Sequence, residues 1–214
     1  MKLYLTKTPN LVQRIFSNYV WRFSSVKKEI YLTFDDGPTP EITKFVLAEL
    51  KKYNAKATFF CIGKNIKNHP EIFEEILADK HSVGNHTQNH LNGFETKTSE
   101  YITNFLACEN VISNMVEKSQ NLKLFRPPYG KIKKKQATEI FKKGYKIIMW
   151  DVLSADFDES ISKEKCLDNV LKNTENGSII VFHDSIKASE KLKYVLSKVL
   201  EFYSKKGFEF KSIT

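Results

Sequence analysis

Glu29-Ile30-Tyr31-Leu32-Thr33-Phe34-Asp35-Asp36-Gly37-Pro38 is the stretch whose reading decides the fold. After Glu29 it runs apolar, β-branched or aromatic to Phe34, the composition of a strand buried on both faces. Two adjacent carboxylates follow, and Gly37-Pro38 turns the chain. Outward from it the same grammar returns: residues 56–62, 81–85, 122–126, 146–150, 178–182 and 208–211 read as further strands. Between them, residues 40–53, 70–80, 98–118, 134–143, 162–173 and 188–206 carry helical spacing, with Thr98 as a cap and Gly144 and Gly207 as stop signals.

Apolar strands alternating with amphipathic helices predict an α/β protein whose parallel sheet is covered on both faces. Seven such units in 214 residues favour a (β/α) barrel over an open sheet, within a single domain. In such barrels the site lies at the C-terminal ends of the strands. Asp35, Asp36, His86, Arg126, Asp151 and His183 all follow predicted strand ends. Residues 9–23 place Leu11, Val12, Ile15, Phe16, Tyr19, Val20 and Phe23 on a helical stripe. The expected organisation is a helical extension over residues 1–28, packed on the barrel, and one domain over residues 29–214.

The hydrophobic fraction of 41% is that of a globular chain, and the net charge is +9. The excess is mostly scattered lysine, which serves solubility or attraction to anionic polymers. Lys131, Lys133, Lys134 and Lys135 form the one cluster, read as a solvated helix start or a groove flank. No zinc-finger spacing or aromatic-basic interleaving accompanies the charge, so no nucleic-acid partner is expected. Cys61, Cys108 and Cys166 are odd in number and widely spaced, which suits a reducing compartment. Residues 1–28 hold no apolar run long enough for a signal peptide or a membrane span, so a cytoplasmic location without a transmembrane segment is expected. Nothing in the sequence bears on oligomeric state.

Four further segments carry chemistry. Asp35 and Asp36 suggest two roles, one carboxylate binding a metal while its neighbour takes a proton from the attacking water. His86 and His90, four apart, present both imidazoles on one face if residues 86–90 form a helical turn. Two His and one Asp make a three-ligand set with an open position, the catalytic form of a zinc site, and iron or another divalent ion also accepts it. Arg126, stiffened by Pro127 and Pro128, can pair with a carboxylate, and Tyr129-Gly130 can turn a backbone N–H toward an oxyanion. His183 can protonate a leaving amine or alcohol, with Asp156 as the carboxylate that raises its pKa. His69 and His81 match no motif and read as structural, and Cys61 as core.

Taken together, Thr33–Pro38, His86-Thr87-Gln88-Asn89-His90, Arg126-Pro127-Pro128-Tyr129-Gly130, the segment from Trp150 to Phe157, and Val181-Phe182-His183-Asp184 resemble the five motifs of the polysaccharide deacetylases. This is the domain of chitooligosaccharide (nodulation-type) deacetylases and carbohydrate esterase family 4. The resemblance spans residue 29 to the C-terminus. It implies a distorted seven-stranded barrel, Asp35 as general base, and Asp36, His86 and His90 as ligands of a divalent metal, usually zinc. It implies that Arg126 orients Asp35, that the N–H of Tyr129 helps stabilise the oxyanion, and that His183, tuned by Asp156, is the general acid. Val181 would line the acetyl pocket, with Trp150, Leu153 and Phe157 along the groove. Leu153 stands where the family usually has Asp, and Phe157 where it has Trp. The expected activity is metal-dependent hydrolysis of the acetamide of N-acetylated amino sugars in an oligo- or polysaccharide. An O-acetyl carbohydrate esterase such as an acetylxylan esterase is the rival, and a non-catalytic sugar-binding module a more distant one.

Overall fold

The computed structural model describes residues 4–24, 26–117 and 122–214. After the short helix α1 (Asn10–Ile15) the chain runs β1 (Glu29–Asp35), α2 (Ile42–Lys52), β2 (Ala57–Cys61), α3 (Gly63–Asn68), α4 (Pro70–Ala78) and β3 (Ser82–Asn85). It continues with α5 (Thr98–Ser113), β4 (Leu124–Phe125), α6 (Lys134–Lys142), β5 (Lys146–Ile147) and β6 (Val152–Leu153). It ends with α7 (Lys163–Asn173), β7 (Ile179–His183), α8 (Ser189–Lys205) and β8 (Glu209–Phe210). Every strand pair is parallel, in the order β5-β4-β3-β2-β1-β7-β6, and β8 joins the start of β1. The result is one α/β domain built on a curled, barrel-like sheet. No helix among the described residues is long and apolar enough to cross a membrane.

The alternation of strand side chains explains both the core and the site. Leu32 and Phe34 of β1, with Ile180 and Phe182 of β7, join the helix-facing core around Val195, Leu196 and Val199 of α8. Their neighbours face inward: Phe60 and Ile179 form the interior cluster with Leu124, Ile148 and Ile213. Thr33, Asp35, Val181 and His183 therefore share the interior face, and the register sets Asp35 beside His183 at the C-terminal ends of β1 and β7.

Several expectations are corrected. The run at 146–150 is not one strand: β5 lies at one edge of the sheet, β6 at the opposite edge, and residues 148–151 cross between them without a helix. Seven strands do follow the curled path, but β6 takes the place expected for residues 208–211. The helical stripe over 9–23 is also wrong. Only Asn10–Ile15 is helical and none of its residues is buried, while Leu11 and Ile15 are 67% and 65% exposed. After a turn over residues 16–19 the chain is extended and stitches the seam, Val20 bridging Ile148 on one side, while Lys7, before the helix, bridges Val152 on the other. Helix α3 was missed because its six residues bury only Gly63 and Ile66. Helix α5 starts from Lys97, with Thr98 inside it and no side-chain cap; the expected end at Lys118 lies outside the described residues.

Candidate active site

A groove of about 910 Å³ opens at the C-terminal ends of the strands. It is lined by Asp35, Asp36, His86, His90, Tyr129, Trp150, Leu153, Phe157, Val181 and His183. Arg126 and Asp156, the remaining expected site residues, are fully buried behind it.

Arg126 enters from the end of β4 and fills the barrel interior. Its Nη1 donates to Asp35 Oδ1 (2.7 Å) and to Thr33 Oγ1 (2.7 Å), Nη2 to the Met149 carbonyl (2.9 Å) and Nε to the Ile148 carbonyl (3.2 Å). The guanidinium lies 4.2 Å from the Phe60 ring centroid. A buried cation demands this many partners. The carbonyls it uses belong to the crossover between β5 and β6, so one side chain orients Asp35 and closes the seam.

Asp36, His86 and His90 bring one ligand atom each within 4.8 Å of one another. The histidines converge through a loop, not through the expected helical turn. Thr87 and His90 take left-handed backbone angles (φ 64° and 56°). The loop is tied by Asn85 Oδ1 to the Thr87 N–H, by Thr87 Oγ1 to the Leu91 N–H, and by Asn104 Oδ1 to the Asn89 N–H. His86 Nδ1 lies 2.8 Å from the Arg126 carbonyl. A carbonyl only accepts, so the proton sits on Nδ1 and the lone pair of Nε2 faces Asp36, as a ligand requires. Burial holds the His86 pKa down to about 4, which keeps it neutral. Burial would raise the Asp36 carboxyl, but His90 and the charge of His183 leave it well below the usual carboxylate range. Asp36 Oδ1 is buried without a hydrogen-bond partner, 3.2 Å from His90 Nε2 and 3.6 Å from His86 Nε2. An orphaned anionic oxygen facing two imidazoles fits a divalent cation.

At the end of β7, His183 Nδ1 meets Asp156 Oδ1 at 2.7 Å, and its backbone N–H donates to Asp156 Oδ2 at 2.7 Å. Burial alone would lower the imidazole pKa. The Asp156 charge and hydrogen bond, joined by the charges of Asp36 and Asp35, raise it to about 9. Nδ1 is committed to Asp156, so Nε2 is the free end. Tyr129 projects 60% exposed, its backbone left-handed (φ 60°) and its hydroxyl 3.1 Å from His90 Nδ1. At Gly130 a Cβ would lie 2.6 Å from the Trp150 ring, so only glycine lets this turn approach that wall.

Residues 24–148, more than half of the chain, match the family described as polysaccharide deacetylase. The chain belongs to this family. It is 35% identical over 169 residues to a peptidoglycan-N-acetylglucosamine deacetylase of Bacillus cereus, covering 78% of this chain but 60% of that protein. A second enzyme of the same name and organism is 30% identical over 195 residues, covering 91% of this chain and 90% of that one. The crystal structure of a peptidoglycan N-acetylglucosamine deacetylase bound to 4-naphthalen-1-yl-N-oxidanyl-benzamide superimposes with a TM-score of 0.87 at 30% identity, over 96% of this chain and 95% of that one.

Three features of this polysaccharide deacetylase escaped the sequence reading. Asp184, read only as following His183, is fully buried and ties the first motif. Its Oδ1 accepts from the Gly37 N–H (3.0 Å), its Oδ2 from the Thr43 hydroxyl (2.5 Å), and its own N–H donates to the Asp35 carbonyl (3.0 Å). A Cβ at Gly37 would sit 2.0 Å from Oδ2. Burial pushes the Asp184 carboxyl up to about 7. His69, read as structural, lines the groove, as does Tyr4. Asp151, by contrast, turns away from the groove: it accepts from Lys7 Nζ (2.8 Å) and Ser178 Oγ (2.6 Å).

Proposed function

We propose that this polysaccharide deacetylase hydrolyses the acetamide of N-acetylated amino sugars within an oligo- or polysaccharide, and does so with a divalent cation, zinc by its donor set, held by Asp36, His86 and His90. The observation that carries the reading is the orphaned Asp36 Oδ1 facing two imidazoles, with Asp35 and His183 side by side at the same strand ends. The relatives' names point to the same class of substrate.

Bound there, the cation would supply Lewis-acid polarisation and make water a better nucleophile. The side chains do the rest. Asp35, its rotamer fixed by Arg126, takes the proton of the attacking water. The N–H of Tyr129 serves the carbonyl oxygen as it becomes negative. Val181 and Leu153, both buried, give the acetyl methyl an apolar, water-poor pocket. His183, protonated at neutral pH because of Asp156, delivers its Nε2 proton to the departing nitrogen. An amine is a poor leaving group until protonated, so an amide needs this acid more than an ester does.

The test is acetate release from N-acetylglucosamine oligomers and from acetylated xylan, with and without chelator. Release from the oligomers, lost on chelation and restored by zinc, is the expected result. Release from xylan alone, or none from either at full metal occupancy, would overturn the reading.

A further inference from the structure

Residues 4–8 run antiparallel to the crossover and the start of β6, outside the span that matches the family. The pairing is continuous: Leu153 N–H donates to the Thr6 carbonyl (3.0 Å) and Thr8 N–H to the Asp151 carbonyl (2.9 Å). Thr8 Oγ1 donates to the Trp150 carbonyl (2.8 Å), and Lys7 Nζ donates to Asp151 Oδ2 and to the Asn173 carbonyl (2.7 Å). This strap ends in the groove. Tyr4 lines it, donates its hydroxyl to Asp158 Oδ2 (2.6 Å), and sets its ring against Phe157 at 5.6 Å and 64°. Phe157 in turn meets the His183 imidazole edge-on, at 5.1 Å and 78°. Three rings thus touch in sequence, from the strap to His183.

We propose that the strap of residues 4–8 is an element of the active site, and that Tyr4 is a positioning residue that holds Phe157 against His183. Phe157 stands two residues after the left-handed Ala155 (φ 61°) on a loop, and its ring meets both Tyr4 and His183. Edge-to-face contacts fix ring orientation as well as area. A ring free to swing would let the imidazole rotate about its bond to Asp156 and carry Nε2 off the line to the leaving nitrogen. A misplacement of about 1 Å costs up to roughly 10²-fold in rate.

The proposal rests on His183 as the acid of the reading above, so the test has one readout that needs turnover and one that does not. Tyr4→Ala and Tyr4→Leu remove the ring, the second keeping apolar bulk if the first folds poorly. Tyr4→Phe keeps the ring and drops the bond to Asp158. Removing the ring should cut kcat on an N-acetylglucosamine oligomer by about 10-fold or more, with a clearly smaller loss on an activated acetate ester, and Tyr4→Phe should recover most of it. Equal losses on both substrates would overturn the positioning role. In parallel, the carbon-bound protons of His183 feel the ring current of Phe157, and their NMR resonances should move in Tyr4→Ala and Tyr4→Leu but stay near wild type in Tyr4→Phe. Unmoved resonances would overturn the proposal whether or not the enzyme turns over. A wild type inactive on every acetylated sugar, with His183 resonances that do respond to Tyr4, would sink the deacetylase reading and leave the strap's role standing.

Discussion

Asp35 with Arg126 and His183 with Asp156 are built to one plan with the signs exchanged. In each pair a groove-lining group meets a fully buried partner of opposite charge at 2.7 Å, and the groove-lining members are register neighbours on β1 and β7. The pairs differ in what else the buried partner holds. Arg126 also bonds Thr33 and the carbonyls of Ile148 and Met149, so it is part of the barrel. The hydrogen bonds of Asp156 shown by the structure run to His183 and to the Ser154 hydroxyl. One partner serves fold and site together. The other holds His183, and its chemistry can change with less harm to the fold.

The comparison breaks most visibly at its groove-lining members. Asp35→Asn should keep the bond from Arg126 and the bound metal, yet lose about 10²–10⁴-fold in kcat. His86→Ala or His90→Ala should lose the metal itself. Elemental analysis beside steady-state kinetics checks both. Near-normal kcat in Asp35→Asn would remove it as the base, and unchanged metal content in both histidine variants would remove them as ligands.

The buried partners should separate next. Arg126→Ala leaves Asp35 unpaired and two buried carbonyls without donors, a loss of about 3–5 kcal/mol in urea unfolding. Asp156→Asn should cost much less stability and show itself in pH. The His183 pKa, about 9 with the carboxylate in place, falls toward its ordinary ~6.5 without that charge. The alkaline limb of kcat should move down by about one unit or more while the acidic limb stays. An unmoved alkaline limb would break the Asp156–His183 pair, and equal destabilisation by the two variants would erase the contrast drawn between them.

Much of this was legible because each motif residue sits where an apolar run ends, and a strand end in a parallel sheet is a site position. The failures share a physical cause. Residues 146–153 stay apolar almost throughout, so nothing marks the change from one edge of the sheet to the other. His86 and His90 converge through two left-handed residues, which spacing alone reads as a helix. Asp184 and Tyr4 work through long-range bonds, to Thr43 at a separation of 141 and to Asp158 at 154, and no local pattern announces such partners. The N-terminal stripe misled because Val20 and Phe23 do reach the core, but as extended chain beside Ile148 and Gly177.

His81 sharpens the comparison as a buried histidine with no carboxylate bonded to it. Its Nδ1 accepts the Ala57 N–H at 3.2 Å, a bond that only the neutral ring can make. Burial, helped by Lys56 and opposed by Asp79, lowers its pKa to about 4. The sign follows from linkage. The unfolded chain, with a His pKa near ~6.5, binds a proton that the folded chain refuses, so stability falls as pH drops from about 6.5 toward 4. His183 runs the other way: the folded chain holds a proton that the unfolded one releases, so its contribution is present below about 6.5 and fades as pH rises through 9. In the metal-free protein each shift is worth at most a few kcal/mol; on the acid side His86, also held down to about 4, adds to the loss and Asp184, raised to about 7, opposes it. His81→Asn offers Oδ1 to Ala57 in place of Nδ1 and cannot titrate. Urea unfolding between pH 4 and 7 should then show a shallower acid decline for this variant and an unchanged alkaline one. An acid slope identical to wild type would mean that His81 is not the group whose burial goes unanswered.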